Sequence, residues 1–230
     1  MFGVQYLLAG STYGDAPESS CKFPDGQGGE MDMTIPATEG KWCSADESAN
    51  CVLAAIRYIH EKADSLCVDK SKLILDGCSG GGYAVGMACG RLAVLGESNL
   101  VKVALMSMAV NPGYFMFKKK EDFKRDITKI CLIDGPFVAE AFSTDLQAQW
   151  KAKDPVLFPQ QAPLSYLKCW PPLIYISAEF DNFEDASHEL IPLLKKAGCY
   201  LDNVCYPGAT HAFQYDLKLK RTPFFYEDMC

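Results

Sequence analysis

The amino-acid sequence predicts an α/β fold in which a mostly parallel sheet is flanked by helices. Short apolar runs of strand length alternate with segments of helical periodicity, a pattern typical of parallel strands connected by helices. The chain has 230 residues, of which 49% are hydrophobic and 22% are charged, a balance typical of a large globular domain. A glycine-rich turn at residues 77–82 joins one predicted strand directly to a helix. From its length and composition, we expect the chain to form a single domain over residues 1–230.

The predicted elements follow one another regularly up to residue 110. Ser44 and Glu47 form a capping-box pattern that opens a helix, and a second helix begins after Ser79. The glycine, serine and proline content of residues 10–29 predicts a loop. The predicted strands are residues 4–9, 31–35, 73–76 and 101–108. The apolar face of the first helix is formed by Cys51, Val52, Ala55, Ile56 and Ile59.

Residues 111–170 interrupt this alternation with charged helical pieces, several prolines and an aromatic-rich stretch. We interpret them as a cap-like, helical insertion between two core segments, residues 1–110 and 171–230. The aromatic residues Phe137, Phe142 and Trp150 either line a pocket or pack the cap's own core. After the insertion the sequence predicts a strand at 173–176, a helix at 186–197 and a strand at 203–206.

The charge, hydropathy and cysteine content argue against a nucleic-acid-binding protein, a membrane-spanning protein and a zinc protein. The formal net charge is −7, which argues against nucleic acid as the main partner because phosphate binding needs a basic surface. No stretch approaches the roughly 18 apolar residues of a membrane span. The eleven cysteines include no C-x-x-C pair, and the three histidines are too scattered for a zinc signature. The sequence implies neither a metal nor an organic cofactor. Several cysteines lie in apolar segments, which favours free thiols in a cytoplasmic protein.

The segment Gly77-Cys78-Ser79-Gly80-Gly81 fits the G-x-S-x-G pattern of a nucleophile elbow. In such an elbow the serine occupies a strained turn between a strand and a helix, so that its hydroxyl stands clear of the backbone. Glycine is needed two residues to either side because larger side chains would collide there. The helix that begins at this turn directs free N–H groups towards any oxyanion that forms at the serine. Ser79 is therefore the candidate nucleophile.

A serine nucleophile needs a base to take its proton and an acid to orient that base. In an open α/β sheet such groups lie on loops at the carboxyl ends of strands. His211 follows the last predicted strand, whereas His60 and His188 lie on predicted helices and are interpreted as surface or structural histidines. Asp181 follows the strand that begins at residue 173. The order Ser79, Asp181, His211 is that of the α/β-hydrolases.

Longer segments resemble the hormone-sensitive-lipase-like esterases of the α/β-hydrolase fold. Residues 77–81 are similar to that family's G-D-S-A-G-G motif. Residues 171–181, PPLIYISAEFD, resemble its P-P-x-x-x-x-x-A-x-x-D pattern. Residues 197–213 contain A-G followed by Y-P-G-x-x-H-x-F, as in the family. The resemblance extends over about residues 32–214.

The resemblance implies a serine hydrolase that cleaves carboxylic esters of short to medium acyl chain. In this interpretation Ser79 is the nucleophile, His211 the base and Asp181 the acid, and the backbone N–H of Gly80 contributes to the oxyanion hole. The family's H-G-G-G loop, which completes that hole, has no equivalent in the sequence. Its position would fall after the predicted strand at residues 4–9, where Gly10 is the candidate second donor.

An alternative reading is a catalytically weak or inactive relative that serves as a subunit or binding module. It follows from the missing H-G-G-G loop and from a sequence that starts at what would be an early strand of the family. A sheet shortened in this way exposes an edge, which a second copy of the chain or another protein would cover. A third reading is that the sequence is a fragment of a longer esterase.

Overall fold

The computed structural model of the chain describes residues 19–24, 30–35, 45–109, 150–181 and 183–215. The helices and strands are β1 (Ser19–Pro24), β2 (Glu30–Ile35), α1 (Ala45–Lys62), β3 (Ile74–Cys78), α2 (Gly80–Leu95), β4 (Val103–Ser107), α3 (Leu164–Leu167), β5 (Leu173–Phe180), α4 (Glu184–Ala197) and β6 (Tyr200–Thr210). Short 3₁₀ helices lie at Lys70–Lys72, Ser98–Leu100, Pro159–Gln161 and Phe213–Tyr215.

In the part of the chain that the structure describes, four strands form a parallel sheet in the order β3-β4-β5-β6. Helix α2 connects β3 to β4, and α4 connects β5 to β6. Strands β1 and β2 pair with each other in an antiparallel arrangement and form a separate two-stranded sheet among the described residues. The predicted α/β fold, with a mostly parallel sheet flanked by helices, is confirmed. All four parallel strands therefore direct their carboxyl ends to one edge of the sheet, where candidate site residues were expected.

Both faces of the two central strands, β4 and β5, are largely buried, whereas β3 and β6 at the edges of the described sheet are more exposed. Successive residues of a strand point to opposite faces, and β4 shows this directly. Ala104 and Met106 belong to a main core that also receives side chains from α1, α2 and α4, whereas Leu105 belongs to a second core with Ile176 and Phe213. Burial on both faces explains why the sequences of β4 and β5 are nearly continuous apolar runs.

Helix α1 begins close to the predicted capping box, at Ala45. Its buried stripe differs slightly from the expected one. Cys51 and Ala55 are only half-buried, because they lie at the flank of a stripe that follows a 3.6-residue period. The buried members of this stripe are Ala49, Val52, Leu53, Ile56 and Ile59.

The predicted bounds of two other elements are wrong. The predicted loop at 10–29 contains strand β1, because pairing with β2 supplies its ladder hydrogen bonds despite a polar composition. Strand β6 continues to Thr210, beyond the predicted end at residue 206. It contains Pro207, which is tolerated because β6 is at the edge of the described sheet.

The predicted insertion is described only in its last part, from Trp150 onwards. There the Trp150 ring meets the edge of Phe158, with centroids 5.1 Å apart, and Phe158, Leu167 and Trp170 are buried in the main core. The described residues do not include Phe137 and Phe142, the rest of this segment, or the predicted strand at residues 4–9. Within the part of the chain that the structure describes, no helix has the length and apolar character needed to cross a membrane.

Candidate active site

Ser79 occupies the turn between β3 and α2 with φ 57° and ψ −121°. This positive φ is a region that residues other than glycine rarely adopt, and it costs of order 1–3 kcal/mol. The turn is fixed at two points, because the Ser79 N–H donates to the carbonyl of Ser107 (2.9 Å) and the Tyr83 N–H donates to the carbonyl of Ser79 (3.1 Å). The serine is thus held at the carboxyl edge of the sheet in the strained conformation of an elbow.

Two glycines near Ser79 are required by close contacts. A Cβ atom on Gly77 would lie 2.4 Å from the carbonyl oxygen of Gly81, so the first glycine of the G-x-S-x-G pattern has the steric role expected of it. A Cβ atom on Gly82 would lie 2.9 Å from the carbonyl oxygen of Ser107. Gly82 therefore allows the start of α2 to approach the end of β4, a role that sequence analysis did not identify.

The structure brings Ser79, Asp181 and His211 together. The Nε2 atom of His211 is 2.9 Å from the Oγ of Ser79, and its Nδ1 atom is 2.8 Å from the Oδ2 of Asp181. The side chain of Asp181 is fully buried, and that of His211 is 10% exposed. In the tautomer that suits this geometry, Nδ1–H donates to the carboxylate and Nε2 accepts from the serine hydroxyl. The three side chains form one continuous hydrogen-bonded chain.

Asp181 is oriented by the turn that follows β5. Its Oδ1 accepts a hydrogen bond from the backbone N–H of Phe183 (2.9 Å), and its own N–H donates to the carbonyl of Ala178 (3.1 Å). The buried ring of Phe183 meets the His211 ring edge-on, at a centroid distance of 5.1 Å. One carboxylate oxygen is thereby occupied by the backbone, and the other faces the imidazole.

The backbone around His211 is held by the sheet. His211 directly follows β6, and the next residue, Ala212, has φ 58°. The Ala212 N–H donates to the Sδ of Met108, at 3.3 Å, and the following Phe213 is buried in the second core. The imidazole therefore stands on a segment anchored on both sides.

The other two histidines lie elsewhere. His60, near the end of α1, has Nε2 2.7 Å from the carbonyl of Leu100. His188, on α4, has Nε2 2.9 Å from the Glu184 carboxylate one helical turn earlier. Both arrangements agree with their interpretation as surface or structural histidines.

The start of α2 faces the candidate nucleophile. Gly80 is the first residue of that helix, and the first N–H groups of a helix have no acceptor within it. They also carry the positive end of the helix dipole, which favours negative charge nearby. The Gly80 N–H is thus suited to meet an oxyanion formed at Ser79. Gly10, the candidate second donor, lies outside the described residues.

Cys78, next to Ser79, is a half-buried free thiol. Burial raises its pKa to about 11, and the negative charges of Asp181 and Asp76 act in the same direction, while a hydrogen bond with Gln214 acts against them. Because the thiolate is the nucleophilic form of cysteine, the raised pKa disfavours Cys78 as a nucleophile at neutral pH. This electrostatic environment favours Ser79 over its neighbour as the reactive group.

We expect Cys78 to resist alkylation in the folded protein. At pH 8, iodoacetamide should modify the exposed Cys67 much faster than Cys78, as measured by peptide mass spectrometry. The rate at Cys78 should rise with pH until about 11, because a raised pKa delays formation of the thiolate. Equal rates at the two cysteines at pH 8 would contradict this account.

Among the described residues, one group of side chains has the chemistry of a metal site. Glu184, Asp185 and His188 bring their ligand atoms within 4.8 Å of one another on α4. The hydrogen bond between His188 and Glu184, four residues apart, is an ordinary pairing on an exposed helix surface.

An apolar cavity of about 20 Å³ lies behind the elbow, between α2, the sheet and the segment that precedes α3. The hydroxyl of Tyr83 on its wall donates to the carbonyl of Leu157, at 3.1 Å. The volume suffices for about one water molecule and is too small for an acyl chain. Its lining includes Tyr83, Gly86, Met87, Met106, Tyr175 and Leu190.

Comparison with known proteins is consistent with this architecture. Residues 45–215 match the sequence profile of a protein family whose members have the alpha/beta hydrolase fold. No curated protein sequence matches the chain.

Several solved structures share the fold. A brefeldin A esterase, described as a bacterial homologue of human hormone-sensitive lipase, is 19% identical, with a TM-score of 0.66 over 80% of this chain and 51% of that one. A fungal esterase from Rhizomucor miehei is 19% identical, with a TM-score of 0.63 over 80% and 57% of the two chains. Esterase Est22 is 18% identical, with a TM-score of 0.63 over 82% and 57%. The chain thus spans about half the length of each of these proteins.

Proposed function

The chain belongs to the α/β-hydrolase fold family, and from this membership and the geometry at Ser79 we propose that it is a serine hydrolase that cleaves carboxylic esters. The observation that carries the proposal is the hydrogen-bonded chain from Ser79 through His211 to Asp181. It joins a serine in an elbow conformation to an imidazole and a fully buried carboxylate. This is the arrangement that converts a weakly nucleophilic hydroxyl into a reactive one.

In the first half of the reaction, the Oγ of Ser79 attacks the ester carbonyl carbon. The hydroxyl proton passes to Nε2 of His211, which lies 2.9 Å away. The resulting oxyanion is stabilised by the N–H of Gly80 and the positive end of the α2 dipole. When the tetrahedral intermediate collapses, the C–O bond to the alcohol breaks, the alcohol oxygen takes the proton from His211, and an acyl-serine remains.

In the second half, water replaces the alcohol. His211 takes a proton from the water, and the hydroxyl attacks the acyl carbon and forms a second oxyanion at the same position. Its collapse breaks the bond to Ser79, which recovers its proton from His211, and the carboxylic acid leaves. Throughout the cycle the carboxylate of Asp181 remains ionised and stabilises the imidazolium that forms in each half.

The similar structures support the proposal, since those named above are described as esterases. The motif resemblance to hormone-sensitive-lipase-like esterases favours acyl chains of short to medium length. We therefore propose small-molecule esters of this kind as substrates.

The proposal is tested by hydrolysis of p-nitrophenyl esters of increasing acyl length. We expect turnover of the acetate and butyrate, with lower kcat/KM for the palmitate, and release of one equivalent of p-nitrophenol before the steady state if deacylation is the slower step. Circular dichroism and gel filtration on the same sample establish that the protein is folded. A folded protein that hydrolyses none of these esters would contradict the proposal and favour the alternative, a binding module.

A further inference from the structure

We infer that Glu179 is a positioning residue for the triad: it holds the strand segment that carries His211, an inference that rests on the proposed function. Glu179 is two residues before Asp181 on the same strand end. It is exposed, and it does not have to contact a substrate to act in this way. Its effect would be transmitted through the backbone of β6.

The first observation is an irregularity in the pairing of β5 with β6. Ala178 lies opposite Tyr206, but Phe180, two residues further along β5, lies opposite Thr210, which is four residues further along β6. Strand β6 therefore has three residues in this interval, 207–209, where β5 has only Glu179; this excess of two residues forms a bulge. An uninterrupted register would have placed Gly208 opposite Phe180. The bulge thus determines where His211 emerges relative to Asp181.

The second observation is the contact that closes this bulge. The Oε2 atom of Glu179 accepts a hydrogen bond from the backbone N–H of Gly208, at 2.7 Å. Glu179 lies between Ala178 and Phe180, directly across from the bulge. In a bulge the extra residues lose their ladder partners, and here a carboxylate replaces the missing acceptor. Hydrogen bonds of an ionised acceptor are stronger than neutral ones.

The third observation is the conformation of the residue that is held. Gly208 has φ 71°, in the left-handed region that glycine adopts without strain. Such a residue gives the bulge its shape but also leaves the backbone with more freedom. A single hydrogen bond at Gly208 therefore restricts the segment at its most pliable point, three residues before His211.

These contacts mean that the end of β5 holds the His211 segment at two places. Asp181 binds the imidazole through Nδ1, and Glu179 binds the backbone at Gly208. Without the hydrogen bond from Gly208, the bulge can relax so that β6 shifts along β5. A shift of one residue along a strand moves the backbone by about 3.3 Å. A displacement of about 1 Å between reacting groups is enough to cost roughly 100-fold in rate.

The test compares Glu179→Ala with Glu179→Gln, which keeps an acceptor oxygen but removes the charge. We expect Glu179→Ala to lower kcat for p-nitrophenyl butyrate by about 10- to 100-fold with little change in KM, and Glu179→Gln to recover most of that loss. The matched control is Asp202→Ala, since Asp202 is an exposed carboxylate near the start of β6, the strand that contains the bulge, and it accepts a hydrogen bond from the N–H of its neighbour Asn203. It should leave kcat unchanged.

A second readout does not depend on hydrolysis. The Nδ1–H proton of His211, hydrogen-bonded to Asp181, should give a sharp downfield NMR signal in the wild type and Glu179→Gln, and a broadened or lost signal in Glu179→Ala. Unchanged kcat in Glu179→Ala, or equal impairment of both variants, would overturn the inference. If the wild type hydrolyses no ester, the proposed function fails, and the positioning role of Glu179 is then judged from the NMR signal alone. Loss of the signal only in Glu179→Ala supports that role. Retention of the signal in both variants overturns it.

Discussion

Replacement of Ser79 by alanine should lower kcat for ester hydrolysis by roughly 10⁴- to 10⁶-fold, the range expected when a triad nucleophile is removed. The reason is that the Oγ that bonds to His211 is also the atom that would form the acyl-enzyme. KM for the ester should change little, because the contacts that bind the substrate remain. The measurement is the steady-state rate with p-nitrophenyl butyrate, corrected for the spontaneous rate in buffer.

A matched control for this variant is Ser65→Ala. Ser65 is exposed at the end of the α1 region, and its hydroxyl makes a local hydrogen bond to the carbonyl of Lys62, at 2.8 Å. Its removal should leave kcat within about twofold of the wild type, because surface substitutions away from special features have small effects. A Ser79→Ala protein that retained wild-type turnover would show that another group carries the reaction.

The second large effect is expected for Asp181→Asn, which should lower kcat by about 10⁴-fold. The local geometry determines how the amide would sit. The Oδ1 atom accepts the N–H of Phe183, so the amide oxygen of asparagine is retained there and the NH₂ group faces Nδ1 of His211. The imidazole must then accept at Nδ1 and carry its proton on Nε2, where it cannot take the proton of Ser79.

The matched control for this change is Asp69→Asn. The carboxylate of Asp69 accepts a hydrogen bond from the N–H of Ser71, two residues later, at 3.0 Å. Asp181 makes the same kind of bond to Phe183, but Asp69 does not bond to a histidine. Steady-state rates of both variants, with NMR of the His211 ring protons to report the tautomer, check the prediction. Similar kcat values for Asp181→Asn and the wild type would mean that the carboxylate does not set the state of the imidazole.

The candidate site could be located from the sequence because its residues occupy recognisable places. Ser79 lies in a glycine pattern whose steric cause, the contact of Gly77 with Gly81, depends only on local geometry. Asp181 and His211 each follow a strand end, and parallel strands bring their carboxyl ends to one edge. Their proximity in the structure is therefore a consequence of topology that the order of the elements already implies.

Features that depend on pairing between distant segments could not be predicted in the same way. The interaction of Glu179 joins a side chain to a backbone N–H 29 residues away, and backbone donors leave no mark in the sequence. The continuation of β6 past Pro207 could not be predicted either, because proline and glycine normally end a strand pattern. Strand β1 is polar in composition and is defined by its pairing with β2.

The most direct test of the central claim is the location of a covalent adduct with a fluorophosphonate, a probe that reacts with activated serines. The folded protein is treated with the probe, digested and sequenced by tandem mass spectrometry, in parallel with Ser79→Ala and Ser65→Ala. We predict one phosphonylated residue, Ser79, in the wild type and in Ser65→Ala, and no adduct in Ser79→Ala. An unlabelled folded protein, or an adduct on a residue other than Ser79, would contradict the assignment of Ser79 as the nucleophile.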